Sequence, residues 1–436
     1  MVSKRPEIDV EEIDAVVFDL DGVITKTASV RQAAWAELFN SSVELVNTLQ
    51  RNGVETALIS SSRNVTAVLR GAGLLDLFPV RIDGNVAAEL GIPGKPHPAV
   101  FLEAVSRVGA TPGRAAIVED AQSGVAAGRA GGFRMVIGVD RGDQAEELAA
   151  GGATVVVADL AEVTVKPAPP VHRRELPSAA EKYDEIVSRL DGTDIAVFLD
   201  YDGVLTPIVS HPDLAVLSDE MRTVLTALAD TTTVAIVSGR DVGDVRDKVQ
   251  VPGIYYAGSH GFDIVGPDGN PVVDERLDRF RVYLDPLDAA TEMLQARLEA
   301  VPGAQVERKR FAIAVHYRRV ADDDYSKVEA AVRAVAPDVP LLRVAAGKKI
   351  FELRPDFDWD KGRALDWLLG ELALDRYAVT PIYLGDDTTD EDAFRAIRKR
   401  GIGIVVGRGG DASHARYALE NTAEVASFLA RLAAGM

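Results

Sequence analysis

The sequence predicts an α/β protein built from two doubly wound parallel-sheet domains, the second interrupted by a small α+β unit. Three observations carry this reading. Continuous apolar runs of strand length alternate with longer amphipathic stretches along both halves. The segment "VVFDLDGVITK" (16–26) returns as "FLDYDGVLTP" (198–207), placing Asp19 and Asp200 at equivalent strand ends 181 residues apart. A stretch with four prolines, "TVKPAPPVHRRELPS" (164–178), separates the halves. The expected division is a first domain over 1–164, a linker over 165–178 and a second domain over 179–436 with its insert at about 263–347.

In the first half the strands are expected at "AVVF" (15–18), "ETALIS" (55–60), "AAIV" (115–118), "RMVIG" (134–138) and "TVVVA" (154–158). Helical patterns such as "VELVNTLQRNG" and "HPAVFLEAVSRVG" lie between them. The second half opens with the helical "SAAEKYDEIVSRL" and the strand "DIAVFLD", followed by the helix "SDEMRTVLTALAD" and the strand "TVAIVS". The character then changes. A turn signal "GPDGN", a helix near 276–300, the paired strand patterns "AQVERK" and "FAIAVHYR", another helix and "PLLRVAA" read as the inserted unit. Parallel strands resume with "TPIYLGDD" and "IGIVVG".

The 436 residues carry a net charge of −19. No broad basic footprint exists for nucleic acid, and anionic membranes are disfavoured. A phosphate-bearing substrate therefore needs a local cation cluster or a metal ion. The absence of cysteine excludes disulfides, thiolate catalysis and cysteine zinc sites. With neither an apolar leader nor a run of about 20 apolar residues, the expectation is a soluble, cytoplasmic protein.

Ligands of doubly wound sheets bind beyond the carboxyl ends of the strands, where Asp200 and Asp202 fall. One residue apart on extended backbone, their carboxylates point to the same side. Two close carboxylates repel unless a cation lies between them, and Mg2+ is the hard, oxygen-seeking choice. Other strand ends add Ser238 and Arg240 ("VSGRD") and the acidic group Asp386, Asp387 and Asp390 ("YLGDDTTDED"). Lys361 in "DWDKG" opens a helix, able to balance phosphate charge.

These motifs, in this order, resemble those of the haloacid dehalogenase superfamily of aspartate-nucleophile phosphatases, which implies two Rossmann-like haloacid dehalogenase-type domains, the second with an α+β cap. The second half resembles the trehalose-6-phosphate phosphatases through "GSHGFD" (258–263), "VERKRFAIAVHYR" (306–318), "GKKIFELRP" (347–355), "DWDKG" (358–362) and "LGDDTTDEDAF" (384–394). The resemblance implies that Asp200 attacks phosphorus and Asp202 acts as general acid and base. Mg2+ would be held by Asp200, the Asp202 carbonyl and Asp386. Ser238 and Lys361 would hold the phosphoryl oxygens, and Asp387 and Asp390 would orient their loop. Glu307, Lys309, Lys348, Glu352, Arg354, His260 and Arg240 are the candidate sugar contacts. Arg308 and Arg319 read as a solvated charged face.

The first half resembles the β-phosphoglucomutase-like branch of the same superfamily through Asp19, Asp21, Ser60, Lys95 and Asp120. Only 38 residues separate Asp21 from Ser60, too few for a four-helix cap. A small substrate would lose most of its binding surface, so this set reads as a relic or scaffold with residual metal-binding potential. The substrate inferred for the second half is trehalose 6-phosphate. Another sugar phosphate, such as sucrose 6-phosphate, and a non-enzymatic sugar-phosphate sensor are the alternatives, and association with the enzyme that makes the substrate stays open.

Overall fold

The computed structural model describes residues 5–26, 38–190, 192–209, 212–272, 279–347, 349–357, 359–371 and 379–435. The chain divides into two units, Met1–Pro170 with Arg395–Lys399 and Val171–Phe394 with Arg400–Met436.

In the first unit, strands β1 (Glu7–Asp9), β2 (Ala15–Asp19), β3 (Glu55–Ile59), β4 (Val80–Ile82), β5 (Ala115–Glu119), β6 (Met135–Val139), β7 (Val155–Val157) and β8 (Thr164–Lys166) follow one another. Six of them form a sheet in the order β4-β3-β2-β5-β6-β7, parallel throughout, while β1 pairs with β8 apart from it. Every residue of β2 is buried, because alternate side chains enter cores on opposite faces. Val16 and Phe18 join Leu45, Val46 and Leu49 of the helix Asn40–Arg51 on one face. Ala15 and Val17 join Val100, Phe101 and Ala104 of the helix Ala99–Arg107 on the other. The short strand β4 escaped the sequence reading: its three residues, Val-Arg-Ile, are too few to show a period.

The second unit repeats that plan. Its strands are β9 (Val171–His172), β10 (Asp194–Leu199), β11 (Thr233–Val237), β12 (Tyr255–Gly258), β13 (Asp263–Val265), β14 (Gln305–Lys309), β15 (Ala312–His316), β16 (Leu342–Gly347), β17 (Ile350–Pro355), β18 (Val379–Gly385), β19 (Ile402–Val406), β20 (Ala412–Ser413) and β21 (Tyr417–Leu419). The main sheet runs β13-β12-β11-β10-β18-β19-β21, parallel except for β13 at its edge. From β12 to β21 the order matches that of the first unit, strand for strand, which is the structural form of the repeat seen in the sequence.

The inserted unit is a four-stranded antiparallel sheet, β14-β15-β17-β16. Its core comes from Ile313 and Val315 of β15 and from the helices Leu284–Leu298 and Tyr325–Val335. Two boundaries differ from the sequence reading. β13, expected from the sequence inside the insert, belongs to the main sheet, and the insert's sheet continues to Pro355 because β17 enters between β15 and β16. In β17 ("IFELRP") buried and half-buried residues alternate, the pattern of a sheet covered on one face.

Candidate active site

Both Asp-x-Asp-Gly motifs make the same turn. Gly203 N–H donates to the Thr206 carbonyl at 2.8 Å, and Gly22 N–H to the Thr25 carbonyl at 2.8 Å. Both glycines have left-handed φ, 79° and 75°. A Cβ on Gly203 would run into the Asp386 carboxylate, and one on Gly22 into that of Asp120. Glycine is thus required twice over, for its backbone angle and for the acidic side chain packed against it.

In the second unit Asp200 stands just past β10, buried, with Tyr201 N–H donating to its Oδ1 at 2.8 Å. Lys361, the first residue of the helix Lys361–Glu371, brings its ammonium 3.2 Å from Asp200 Oδ2 and 2.7 Å from Asp390 Oδ1. Asp390 is fully buried and accepts four hydrogen bonds. Lys361 Nζ and Tyr383 Oη (2.6 Å) reach its Oδ1, while the Asp386 and Asp387 amides (2.9 and 3.1 Å) reach its Oδ2. Burial holds the Asp200 carboxyl well above its usual range, and the nearby Asp390, Asp386 and Asp387 add to that shift. The Asp386 carboxyl is pushed up to about 7 by burial and by the charges of Asp390 and Asp387. Burial works against the charge of Lys361, but Asp200 and Asp390 outweigh it and raise its pKa.

This donor set fits a divalent cation. Carboxylate oxygens of Asp200, Asp386 and Asp390 lie within 4.8 Å of one another, and one lysine serves the group. Since Asp390 spends its acceptors on four donors, Asp200 and Asp386 are the carboxylates left for a metal.

Asp202 is held differently. Arg240 Nε and Nη2 grip its two oxygens at 2.6 and 2.7 Å, and Arg240 Nη1 reaches Asp244 at 2.8 Å. Burial disfavours the Arg240 charge, but its bonds to Asp202 and Asp244 prevail and raise its pKa. Arg240 thus sits on the second aspartate of the motif, whereas the sequence had placed it among the sugar contacts. Ser238 is buried, its Oγ accepting from Arg240 N–H at 3.2 Å and its carbonyl from His260 N–H at 2.9 Å.

The insert contributes a second cluster beside Ser238. Lys309 Nζ donates to the Gly239 carbonyl at 3.1 Å and lies 3.7 Å from Glu352 Oε1. His260 Nε2 is 3.8 Å from Glu352 Oε2. Burial would raise the Glu352 carboxyl, but His260, Lys309 and Arg354 together hold it down at about 2. His260 follows Ser259 in left-handed backbone, with φ of 59° and 50°, a strained pair of the kind found at functional sites. Gly239 is the residue that accommodates the His260 ring, which a Cβ there would strike. Glu307 Oε2 accepts from His316 Nε2 at 2.7 Å, and that bond lowers the Glu307 pKa. Arg308 pairs with Asp288 at 2.8 Å at the surface. Lys348 lies outside the described residues.

Of the sequence candidates, then, Asp200, Lys361, Asp386, Asp387 and Asp390 form one cluster. Lys309, Glu352, His260 and Arg354 form another, reaching the Ser238–Arg240 loop. Tyr383 and Asp244 were missed. Tyr383 reads as one more strand residue in "TPIYLG", and nothing in its spacing announces that its hydroxyl points at Asp390.

The first unit assembles a parallel set. Lys95 Nζ lies 2.5 Å from Asp19 Oδ1 and also bonds Glu119. Carboxylate oxygens of Asp19, Glu119 and Asp120 lie within 4.8 Å of one another. Ser60 Oγ accepts from Ser62 N–H at 3.0 Å, and burial raises Asp21. Burial and Glu119 raise the Asp120 carboxyl to about 6. Glu119 plays the part of Asp390 from another position. A Cβ on Gly124 would strike the Glu119 carboxylate, while a Cβ on Gly385 would strike that of Asp390. "EDAQSG" and "GDDTTD" thus exchange acid and glycine between their first and sixth positions.

Two sheets of one topology, each with an Asp-x-Asp-Gly turn, a lysine on the aspartate and an acidic loop, define a hydrolase of the haloacid dehalogenase type. Residues 198–423 match the family described as Trehalose-phosphatase, and residues 32–132 match haloacid dehalogenase-like hydrolases. The chain belongs to the trehalose-phosphatase family. It is 39% identical over 443 residues to a trehalose-phosphate phosphatase of Mycobacterium leprae, covering 98% of this chain and 97% of that one. A trehalose-phosphate phosphatase of Mycobacterium marinum is 44% identical over 340 residues, 76% of this chain and 85% of that one. An uncharacterized glycosyl hydrolase of Mycobacterium tuberculosis is 45% identical over 391 residues, 88% of this chain, which spans only 29% of that longer protein. No helix among the described residues is long and apolar enough to cross a membrane.

Proposed function

We propose that this chain hydrolyses trehalose 6-phosphate to trehalose and inorganic phosphate, with the second unit as catalyst. The observation that carries the proposal is the buried trio Asp200, Lys361 and Asp390, in which a carboxylate at a strand end faces a cation fixed by a second carboxylate. An Asp200 oxygen attacks phosphorus as the bond to the sugar oxygen breaks, giving an aspartyl-phosphate. Lys361 and Ser238 hold the phosphoryl oxygens, so that catalysis rests on placement and charge. Asp202 gives its proton to the leaving sugar oxygen and then takes one from the water that attacks phosphorus, which returns Asp200 and releases phosphate.

Mg2+ is the cation proposed for Asp200, Asp386 and the Asp202 carbonyl, where it would offset charge between carboxylate and phosphate. Asp387 and Asp390 shape the loop that carries Asp386. Lys309, Glu352, His260 and Arg354 suit the hydroxyls of a disaccharide, with Glu307 and Lys348 as further contacts. The first unit is proposed as a scaffold that keeps a metal-binding geometry without its own cap. The test is Mg2+-dependent phosphate release from trehalose 6-phosphate, sucrose 6-phosphate and p-nitrophenyl phosphate. A clear preference for trehalose 6-phosphate is expected; equal kcat/KM for all three would remove the role given to the insert.

A further inference from the structure

Residues 171–178, part of the stretch that the sequence marked as a linker, and the adjoining Ala179 are bound to the second unit. β9 pairs with β20, the Leu176 carbonyl accepts from Arg408 at 3.0 Å, and Pro177 and Ala179 bond both sides of Ala418 at 3.0 and 2.9 Å. The segment is thereby stitched along the β21 edge of the main sheet. At its start stands Arg173, which is buried.

A buried guanidinium is costly to desolvate and persists where it meets strong acceptors. Arg173 Nη1 donates to the backbone carbonyl of Asp386 at 2.7 Å, and Nη2 lies 3.7 Å from Glu391 Oε1. The other Glu391 oxygen is occupied by the His414 amide at 2.7 Å and by His414 Nδ1 at 3.2 Å. His414 directly follows β20, the partner of β9. Arg173, Glu391 and His414 thus close a ring of contacts behind the acidic loop.

Asp386 is consequently fixed on three sides. Its amide is held by Asp390 Oδ2, its carbonyl by Arg173, and its carboxylate lies over Gly203, where a Cβ would collide with it. The first two contacts set the direction of its Cα–Cβ bond. We infer that Arg173 is a positioning residue for the metal site, holding Asp386 from behind so that its carboxylate is already aimed at a divalent cation. The inference rests on the metal site proposed above. It also places a determinant of that site in the connecting segment, ahead of residue 198 where the family match begins.

The test is direct Mn2+ binding to the full-length protein without substrate, followed by the loss of the free-ion electron paramagnetic resonance signal. An Asp120→Asn background limits the reading to the second unit. Arg173→Met should weaken Mn2+ binding about 10-fold or more, the scale for residues that orient a metal ligand, and Arg173→Lys should restore part of it. Activity of Arg173→Met should recover at high Mg2+ with an unchanged KM for the sugar phosphate. Intact tryptophan fluorescence confirms folding, and if Arg173→Met does not fold, Arg173→Lys alone carries the comparison. Equal Mn2+ affinity in the folded variant and its parent would overturn the positioning role. If the parent binds no Mn2+, the metal site itself fails, a result distinct from the first.

Discussion

Replacing Asp390 with asparagine removes one negative charge from the centre of the cluster and changes almost no volume. The four donors converging on Asp390 are a lysine ammonium, a tyrosine hydroxyl and two loop amides. An asparagine can still accept on its oxygen, but its NH2 group must face either Lys361 or the two amides, all of which are donors. Taking one partner from a buried ion pair costs about 3–5 kcal/mol, and a donor left without an acceptor costs about 1–3 kcal/mol. Lys361 retains Asp200 at 3.2 Å, so the lower part of the combined range applies, about 4 kcal/mol. For a unit of this size that lowers Tm by about 8–16 °C. Intrinsic fluorescence follows the second unit well, since Trp359 and Trp367 are both buried in it. Urea unfolding should show the loss in the transition midpoint, and phosphate release at a temperature where the variant is folded should fall with it. A variant within 1 kcal/mol of the parent and fully active would refute the assignment of Asp390 as the hub.

Three further outcomes follow from the same geometry. Arg240→Met should lower kcat for the sugar phosphate by about 100-fold, as loss of a placed general acid does, and lower turnover of p-nitrophenyl phosphate less, because its leaving group needs no proton and only the later water step then depends on Asp202; a rise in KM with unchanged kcat would instead make Arg240 a sugar contact. Glu352 has a folded-state pKa of about 2, below its ordinary 4.5, so its stabilising contribution is present above about pH 4.5 and lost as pH falls toward 2. Glu352→Gln should therefore cost up to about 3 kcal/mol at pH 7 and much less near pH 3, and equal losses at both would contradict the pairing. The Asp386 carboxyl is raised to about 7, so the metal-free protein binds more protons folded than unfolded between about pH 4 and 7 and loses stability as pH rises across that window. Added Mg2+ should raise Tm more at pH 8 than at pH 6, and a gain that shrinks with rising pH would count against Asp386 as a ligand.

The parallel sheets were legible because their strands are unbroken apolar runs, and the acidic residues at their ends stood out against that background. Asp200, Lys361, Asp386 and Asp390 could be nominated because each follows a strand or opens a helix. What escaped was whatever depends on contact across the chain. Arg240 looks like a substrate cation until its fork is seen closed on Asp202. Arg173 lies among prolines and charged residues, the composition of a linker, and only the pairing of β9 with β20 carries it to Asp386. β17 alternates buried and half-buried residues, but its placement between β15 and β16 depends on pairings that local sequence does not encode. The exchange of Glu119 for Asp390 lay open to direct alignment of "EDAQSG" with "GDDTTD", although only the colliding Cβ positions of Gly124 and Gly385 give it a physical meaning.

Which unit carries the chemistry is tested most directly by Mg2+-dependent phosphate release from trehalose 6-phosphate by the full-length protein, Asp19→Asn and Asp200→Asn. Asp200→Asn should abolish release while Asp19→Asn retains it. Release that survives in Asp200→Asn, or disappears in Asp19→Asn, would contradict the assignment of the chemistry to the second unit.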